Sequence, residues 1–220
     1  MDRKKILIVC FLLFVSVIIF YSCTGDVKDR DGNIYKTDKI GKQIWMSENI
    51  AVSHFRNGDT IPEARSDDEW EKSGNDGKPA WCYEENNPRN GKKYGKLYNW
   101  YAVIDPRGLA PYGWHVPSDK EYIKLTTFMG GPVFAAMKMR TSGLTGEGNK
   151  EGGNDFKWPA GGTRNNHGQF YGLGSFGYWW SSTEFTSSQA WIRILDYLKC
   201  YVNSPGFSKK YGLSVRCIKD

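Results

Sequence analysis

The sequence predicts a mixed α+β domain, with its helices early, its strands late and a large share of the chain in ordered loops. Three observations predict it. Nine Trp, thirteen Tyr and eleven Phe accompany twenty-five Gly and few long apolar runs, a composition that builds short strands and loops rather than helical bundles. The helix-start signals, two capping boxes, both fall before residue 130. After residue 156 the aromatic and β-branched residues gather in short runs separated by Gly, Asn and Ser, as in strands joined into an antiparallel meander.

Taken in order, the chain opens with Arg3, Lys4 and Lys5 and then an apolar run from Ile6 to Phe20, broken only by Ser16. A basic start, an apolar stretch of this length and the small Ser22 before the polar break read as a secretory signal peptide over residues 1–22. The run is shorter than the ~20 residues of a membrane span. Cys23 directly after it resembles the lipobox cysteine of bacterial lipoproteins, which implies cleavage before Cys23 and lipid attachment to it. An uncleaved anchor helix is the alternative, and either reading leaves the remainder outside the cytoplasm. Residues 23–31 then read as the lipidated Cys and a short charged tether, and residues 32–220 as one domain.

Within that domain, residues 33–40 and 43–50 read as a strand pair around Gly41-Lys42. Ser66-Asp67-Asp68-Glu69 is a capping box, predicting a short helix over 67–72 whose acids favour the helix dipole. Residues 80–83 are strand-like, and Asn86 to Gly91 reads as a turn. Leu97, Trp100, Tyr101 and Ile104 recur at helical spacing over 96–104. Ser118 and Glu121 form a second capping box, with Tyr122, Leu125, Phe128 and Met129 on one face and Gly130-Gly131 as the stop. From residue 141 onward no helix is expected. Residues 156–158, 162–164, 178–183, 190–195, 198–202 and 213–218 read as strands.

The formal charge is +6, and the first 23 residues carry Arg3, Lys4 and Lys5 against Asp2, leaving +4 on the remainder. With no basic run of five or more, nucleic-acid binding is excluded as the leading class. His54, His115 and His167 are far apart and no Cys-x-x-Cys exists, so a structural zinc site is not expected. Gly172-Leu173-Gly174-Ser175-Phe176-Gly177 matches a dinucleotide fingerprint but leads into a strand-like run, so its glycines read as turn residues.

Five landmarks occur in register: Gly41 to Asn49, Tyr94 to Val103, Gly113 to Tyr122, Gly177 to Glu184 and Gly212 to Asp220. On these landmarks the chain resembles the Fibrobacter succinogenes major paralogous domain of Bacteroidetes-type lipoproteins and secreted proteins, over about residues 25–220. That resemblance implies a C-type lectin-like fold near the formylglycine-generating enzymes, with two short helices flanking twisted antiparallel sheets. It also implies an outer-membrane location, facing the periplasm or the cell surface, and a disulfide between Cys82 and Cys217. Cys200–Cys217 is the rival bond.

The active-site cysteine pair of formylglycine-generating enzymes has no counterpart here, so no catalytic residue and no copper cofactor are expected. A formylglycine-generating-enzyme-like oxidase and a structural component of a surface complex are the alternatives. Calcium remains open through Asn154 and Asp155, whose side chains supply oxygen ligands. The leading expectation is a non-enzymatic binding module for a glycan or a partner protein. Its candidate surface is loops 163–176, 184–190 and 203–210, with Arg164, Asn165, Asn166, Tyr171, Trp180, Glu184 and Trp191 as ligand contacts, because exposed Trp and Tyr beside Asn, Arg and Gln make docking surfaces. Trp179 and Trp180 are adjacent, so in a strand they point to opposite faces and one of them can be exposed, with core packing the better reading of either taken singly.

Overall fold

The computed structural model describes residues 25–140 and 158–220. The expected signal segment, the lipidation site Cys23 and the calcium candidates Asn154 and Asp155 lie outside the described residues. So does most of the strand expected at 156–158. Among the described residues no helix is long and apolar enough to cross a membrane.

The early part is a string of short elements: β1 (Val27–Lys28), β2 (Ile34–Tyr35), β3 (Thr37–Ile40), β4 (Gln43–Met46), α1 (Asp67–Asn75) and β5 (Trp81–Cys82). A 3-10 turn at Glu84–Asn86, then α2 (Pro88–Tyr94), β6 (Leu97–Tyr98), α3 (Trp100–Val103), β7 (Trp114–His115), α4 (Asp119–Phe128) and α5 (Pro132–Met139) follow. The late part is all strand: β8 (Gly161–Arg164), β9 (Phe170–Leu173), β10 (Phe176–Thr186), β11 (Gln189–Asp196), β12 (Tyr201–Asn203), β13 (Gly206–Ser208) and β14 (Ile218–Lys219).

The mixed α+β class and the order of helices before strands are as the sequence implies, but five helices occur among the described residues rather than two. Two of them begin where turn residues misdirect the reading. Asn87 caps α2 by accepting from the Arg89 N–H, with Pro88 in the first turn, so an Asn-Pro-Arg-Asn-Gly stretch starts a helix instead of a turn. Gly130-Gly131 ends α4, yet Gly131 at φ 95° hands directly to Pro132, which opens α5. Both expected capping boxes form, at Ser66–Glu69 and Ser118–Glu121. Each satisfies N–H groups that a helix start leaves unpaired.

Strand order is β12-β11-β10-β8-β9 in the large sheet, with β13 also on β11, and β3-β4-β14-β7 in the four-stranded sheet. The named strands pair antiparallel except β8 with β10, which run parallel where Gly162 meets Gly177. β9 and β13 fall in stretches expected as loops. Residues 213–217 are extended but make only single bridges, Leu213 to Tyr98 and Ser214 to Trp179.

Three apolar clusters fill the space between sheets and helices. The largest includes Met46, Phe55, Tyr98, Trp100, Trp180, Ile192 and Val215. A second joins α4 and α5 to β10 and β11 through Trp45, Tyr122, Trp158 and Trp179. There the Trp158 and Trp179 rings lie 4.7 Å apart, and Trp45 lies 5.3 Å from Tyr122 and 5.9 Å from Trp158. Each such tilted or edge-on pair adds about 0.5–1.5 kcal/mol beyond its area burial. Trp179 faces this cluster and Trp180 the other, and both are fully buried. Core packing therefore holds for both, and Trp180 is corrected as a candidate ligand contact, because both faces of β10 are covered.

The third cluster holds Cys82 with Ala64, Trp70, Ala80 and Leu97, whereas Cys217 belongs to the largest cluster. Cys82, Cys200 and Cys217 are all free thiols. Neither the Cys82–Cys217 nor the Cys200–Cys217 bond is formed; Cys82 and Cys217 are packed as small apolar side chains in separate clusters. Burial pushes the Cys82 thiol up to about 12 and that of Cys217 higher still.

Candidate functional site

Residues 27–31 of the stretch expected as a tether are part of the fold, and they build one wall of a cleft. Asp29 is buried and organises the β1–β2 turn. Its Oδ1 accepts from the Asp31 and Asn33 N–H groups at 2.9 Å each, and its Oδ2 accepts from Asn33 Nδ2 at 2.7 Å and Tyr35 Oη at 2.6 Å. Gly32 at φ 87° closes the turn. Arg30 and Asp31 are thereby held at its tip.

The opposite wall is the 53–61 ribbon. Ile61 N–H donates to Ser53 O and Phe55 N–H to Asp59 O, both at 2.8 Å, with Gly58 at φ 100° in its turn. Asp31 clamps this ribbon to the β1–β2 turn. It accepts from the Ser53 N–H, and its Oδ1 lies 2.6 Å from His54 Nδ1. Burial works against the Asp31 charge, but Ser53, His54 and Lys96 outweigh it and hold its carboxyl below the usual carboxylate range.

Under this clamp lies Lys96, 3 % exposed. Its Nζ donates to Ser53 Oγ and sits 3.6 Å from the centre of the Trp81 ring. Burial pushes its pKa down to about 8, against the pull of Asp31, Glu63 and Asp29. Ser53 and Lys96 have the atoms of a nucleophile–base pair. At a pKa of about 8 the ammonium is the major form at neutral pH and the free amine a minority of roughly a tenth, and the Trp81 ring face favours the ammonium.

The cleft has two adjoining parts. One, of about 550 Å³, is lined by Arg30, Asp31, Ser53, His54 and Gly58. The other, of about 260 Å³, shares Arg30 and His54 and extends to Arg56, Leu109 and Tyr112. Arg56 donates to Ala110 O at 2.9 Å and Trp114 O at 3.2 Å, and its guanidinium stands 5.2 Å from the Tyr112 ring. Tyr112 is 78 % exposed. Side chains of both charge signs, an imidazole and an open aromatic face thus converge on one depression, a lining that can hydrogen-bond and stack a polar ligand.

The seven expected ligand contacts do not form one surface. Arg164 is fully buried. It donates to Gly168 O at 2.7 Å, Ala64 O at 2.8 Å and Asp67 Oδ1 at 3.0 Å, between the Trp70 and Phe170 rings. It pins α1 to the β8–β9 hairpin and cannot meet a ligand. Trp180 is buried and donates to Tyr98 O at 2.7 Å, so it too is core. Asn165 accepts from the His167 and Gln169 N–H groups and closes the β8–β9 turn. Asn166 stands on that turn 3.0 Å from His167 Nε2, and Tyr171, half exposed, donates to Gln169 Oε1 at 2.8 Å. Glu184 pairs with Lys209 at 2.7 Å, and Trp191 packs edge-on against Phe185 with ring centres 4.5 Å apart. These last two lie toward the β10–β11 turn; Glu184 is seven residues along β10 from the β8 crossing at Gly177, a run of about 23 Å at strand rise. Among the described residues no group of three or more His, Cys, Asp or Glu side chains is placed to hold a metal ion.

The sequence reading missed the cleft residues. A signal for them existed in Asp29-Arg30-Asp31-Gly32-Asn33, a turn composition with side chains that bond their own backbone, next to a Ser53-His54 pair bounded by Gly58.

A family model described as the Fibrobacter succinogenes major domain matches residues 39–219. No curated protein and no solved structure matches the chain.

Proposed function

The chain belongs to the Fibrobacter succinogenes major domain family, and from that premise we propose that it is a membrane-tethered, non-enzymatic module that binds a glycan in the Arg30–His54–Tyr112 cleft. The cleft's double depression carries the reading. Its larger part has a volume in the range of small-molecule sites, about 300–1,000 Å³, and its lining combines planar polar side chains with the exposed Tyr112 ring. A sugar offers alternating hydroxyl donors and acceptors on its edge and C–H groups on its face. Arg30, Asp31 and His54 suit the edge, and Tyr112 suits the face. In this reading the fold is C-type lectin-like, Cys23 carries the lipid, and the module sits on the outer membrane.

Glycan-array screening followed by calorimetry on the best hit tests the site. Tyr112→Ala and His54→Ala are each expected to weaken binding at least tenfold, whereas Tyr171→Ala on the β8–β9 hairpin leaves it unchanged. Retained affinity in both cleft variants, with loss in Tyr171→Ala, would move the site back to the late loops.

A further inference from the structure

The solvent side of the α4–α5 hairpin carries five large apolar side chains. α5 buries Ala135, Ala136 and Met139, yet Val133, Phe134 and Met137 on the same two turns are 50 %, 59 % and 57 % exposed. α4 adds Ile123 at 53 % and Phe128 at 64 %. The Phe128 ring lies over Gly41 of the β3–β4 turn, and Phe134 approaches Gly130, so the two rings flank the break between the helices. Monomeric proteins rarely leave such a contiguous patch uncovered without a use for it.

Charge decides what covers it. Lys42, Lys120 and Lys124 are exposed around the patch and make no ion pair among the described residues. The two acids of the hairpin are already engaged: Asp119 holds Arg193 at 2.7 Å and Glu121 holds His115 at 2.9 Å. A second copy of the chain seated face to face would set lysines against lysines with no free acid between them. An anionic bilayer instead offers phosphates to the lysines and acyl chains to the rings, the arrangement of interfacial helices.

We propose that the α4–α5 hairpin is a membrane-docking face that seats on anionic phospholipid. It rests on the tethered reading above only for the presence of a membrane. With Cys23 anchored, residues 24–26 alone separate the lipid from β1, a reach of about 14 Å at full extension, so the domain cannot stand far from the bilayer.

The test is amide hydrogen exchange on the full-length chain, on vesicles of phosphatidylcholine with 30 % phosphatidylglycerol (about one anionic lipid in three) and on phosphatidylcholine alone. Exchange over residues 119–139 is expected to slow about tenfold on the anionic vesicles only. Phe128→Asp/Phe134→Asp, which changes exposed side chains, is expected to float with the vesicles through the tether yet lose that protection. Lys120→Glu/Lys124→Glu, which spares the rings, is expected to reduce it. A chain that floats with residues 119–139 unprotected overturns the docking face alone. Equal protection on neutral vesicles that grows with protein density is self-association and also overturns it. A chain that floats on neither vesicle overturns the tether and the docking face together.

Discussion

Glu84 offers a test of the fold's internal electrostatics. It is 1 % exposed, and neither carboxylate oxygen has a hydrogen-bond partner among the described residues. Burial, with Glu85 adding to it and Arg164 opposing, pushes its pKa from 4.5 up to about 8. The carboxyl is therefore largely protonated in the folded chain at neutral pH and ionised in the unfolded one. Between pH 4.5 and 8 the folded state binds the extra proton, so stability falls as pH rises through that window. At 1.36 kcal/mol per pH unit the interval sums to about 5 kcal/mol, of which about 3 has been lost by pH 7. Glu84→Gln has nearly the same shape and cannot ionise. It carries a buried amide whose unmet hydrogen bonds cost about 1–3 kcal/mol, independent of pH. The informative quantity is the stability difference between variant and wild type, measured by urea unfolding at steps from pH 4 to pH 9. It should move by about 5 kcal/mol in favour of Glu84→Gln across that range, with the urea slope unchanged. Parallel pH curves for the two proteins would refute the reasoning.

Two further outcomes follow from the packing. Arg164→Ala leaves main-chain carbonyls without donors and opens space between Trp70 and Phe170, and should cost about 3–5 kcal/mol in chemical denaturation; wild-type stability would return Arg164 to the list of ligand contacts. In native protein a maleimide should label Cys200, which is partly exposed, well before Cys82 or Cys217, which react only on unfolding; a Cys82–Cys217 disulfide peptide from unreduced protein would contradict the free-thiol arrangement.

Local signals carried the helices that announce themselves. Ser66/Glu69 and Ser118/Glu121 form capping boxes from residues three apart, and such pairs are readable in any sequence. The helices at Pro88 and Pro132 depend on Asn87 and Gly131 acting as caps rather than turn formers, a choice made by packing. Burial of Arg164 and Trp180 was not legible, because the guanidinium needs Ala64 O, 100 residues away, and the Trp70 ring, and the indole needs Tyr98 O, 82 residues away. The cleft was hidden for a similar reason. Asp31 meets His54 across 23 residues and Lys96 meets Ser53 across 43, and no spacing rule joins them. The aromatic and glycine richness did report the architecture, since rings such as Trp45, Trp158 and Trp179 fill the space between short elements.

The placement of β14 has a kinetic consequence. Ile218 pairs with Trp45 on one side and His115 on the other, so the four-stranded sheet has a gap in its middle until residue 218 arrives. A chain emerging from the ribosome, or threading through a pore, cannot complete that sheet from the residues already delivered. The non-local closure that is slow in any fold becomes a built-in delay for this sheet, whose β4 and β7 stay unjoined until β14 pairs with both.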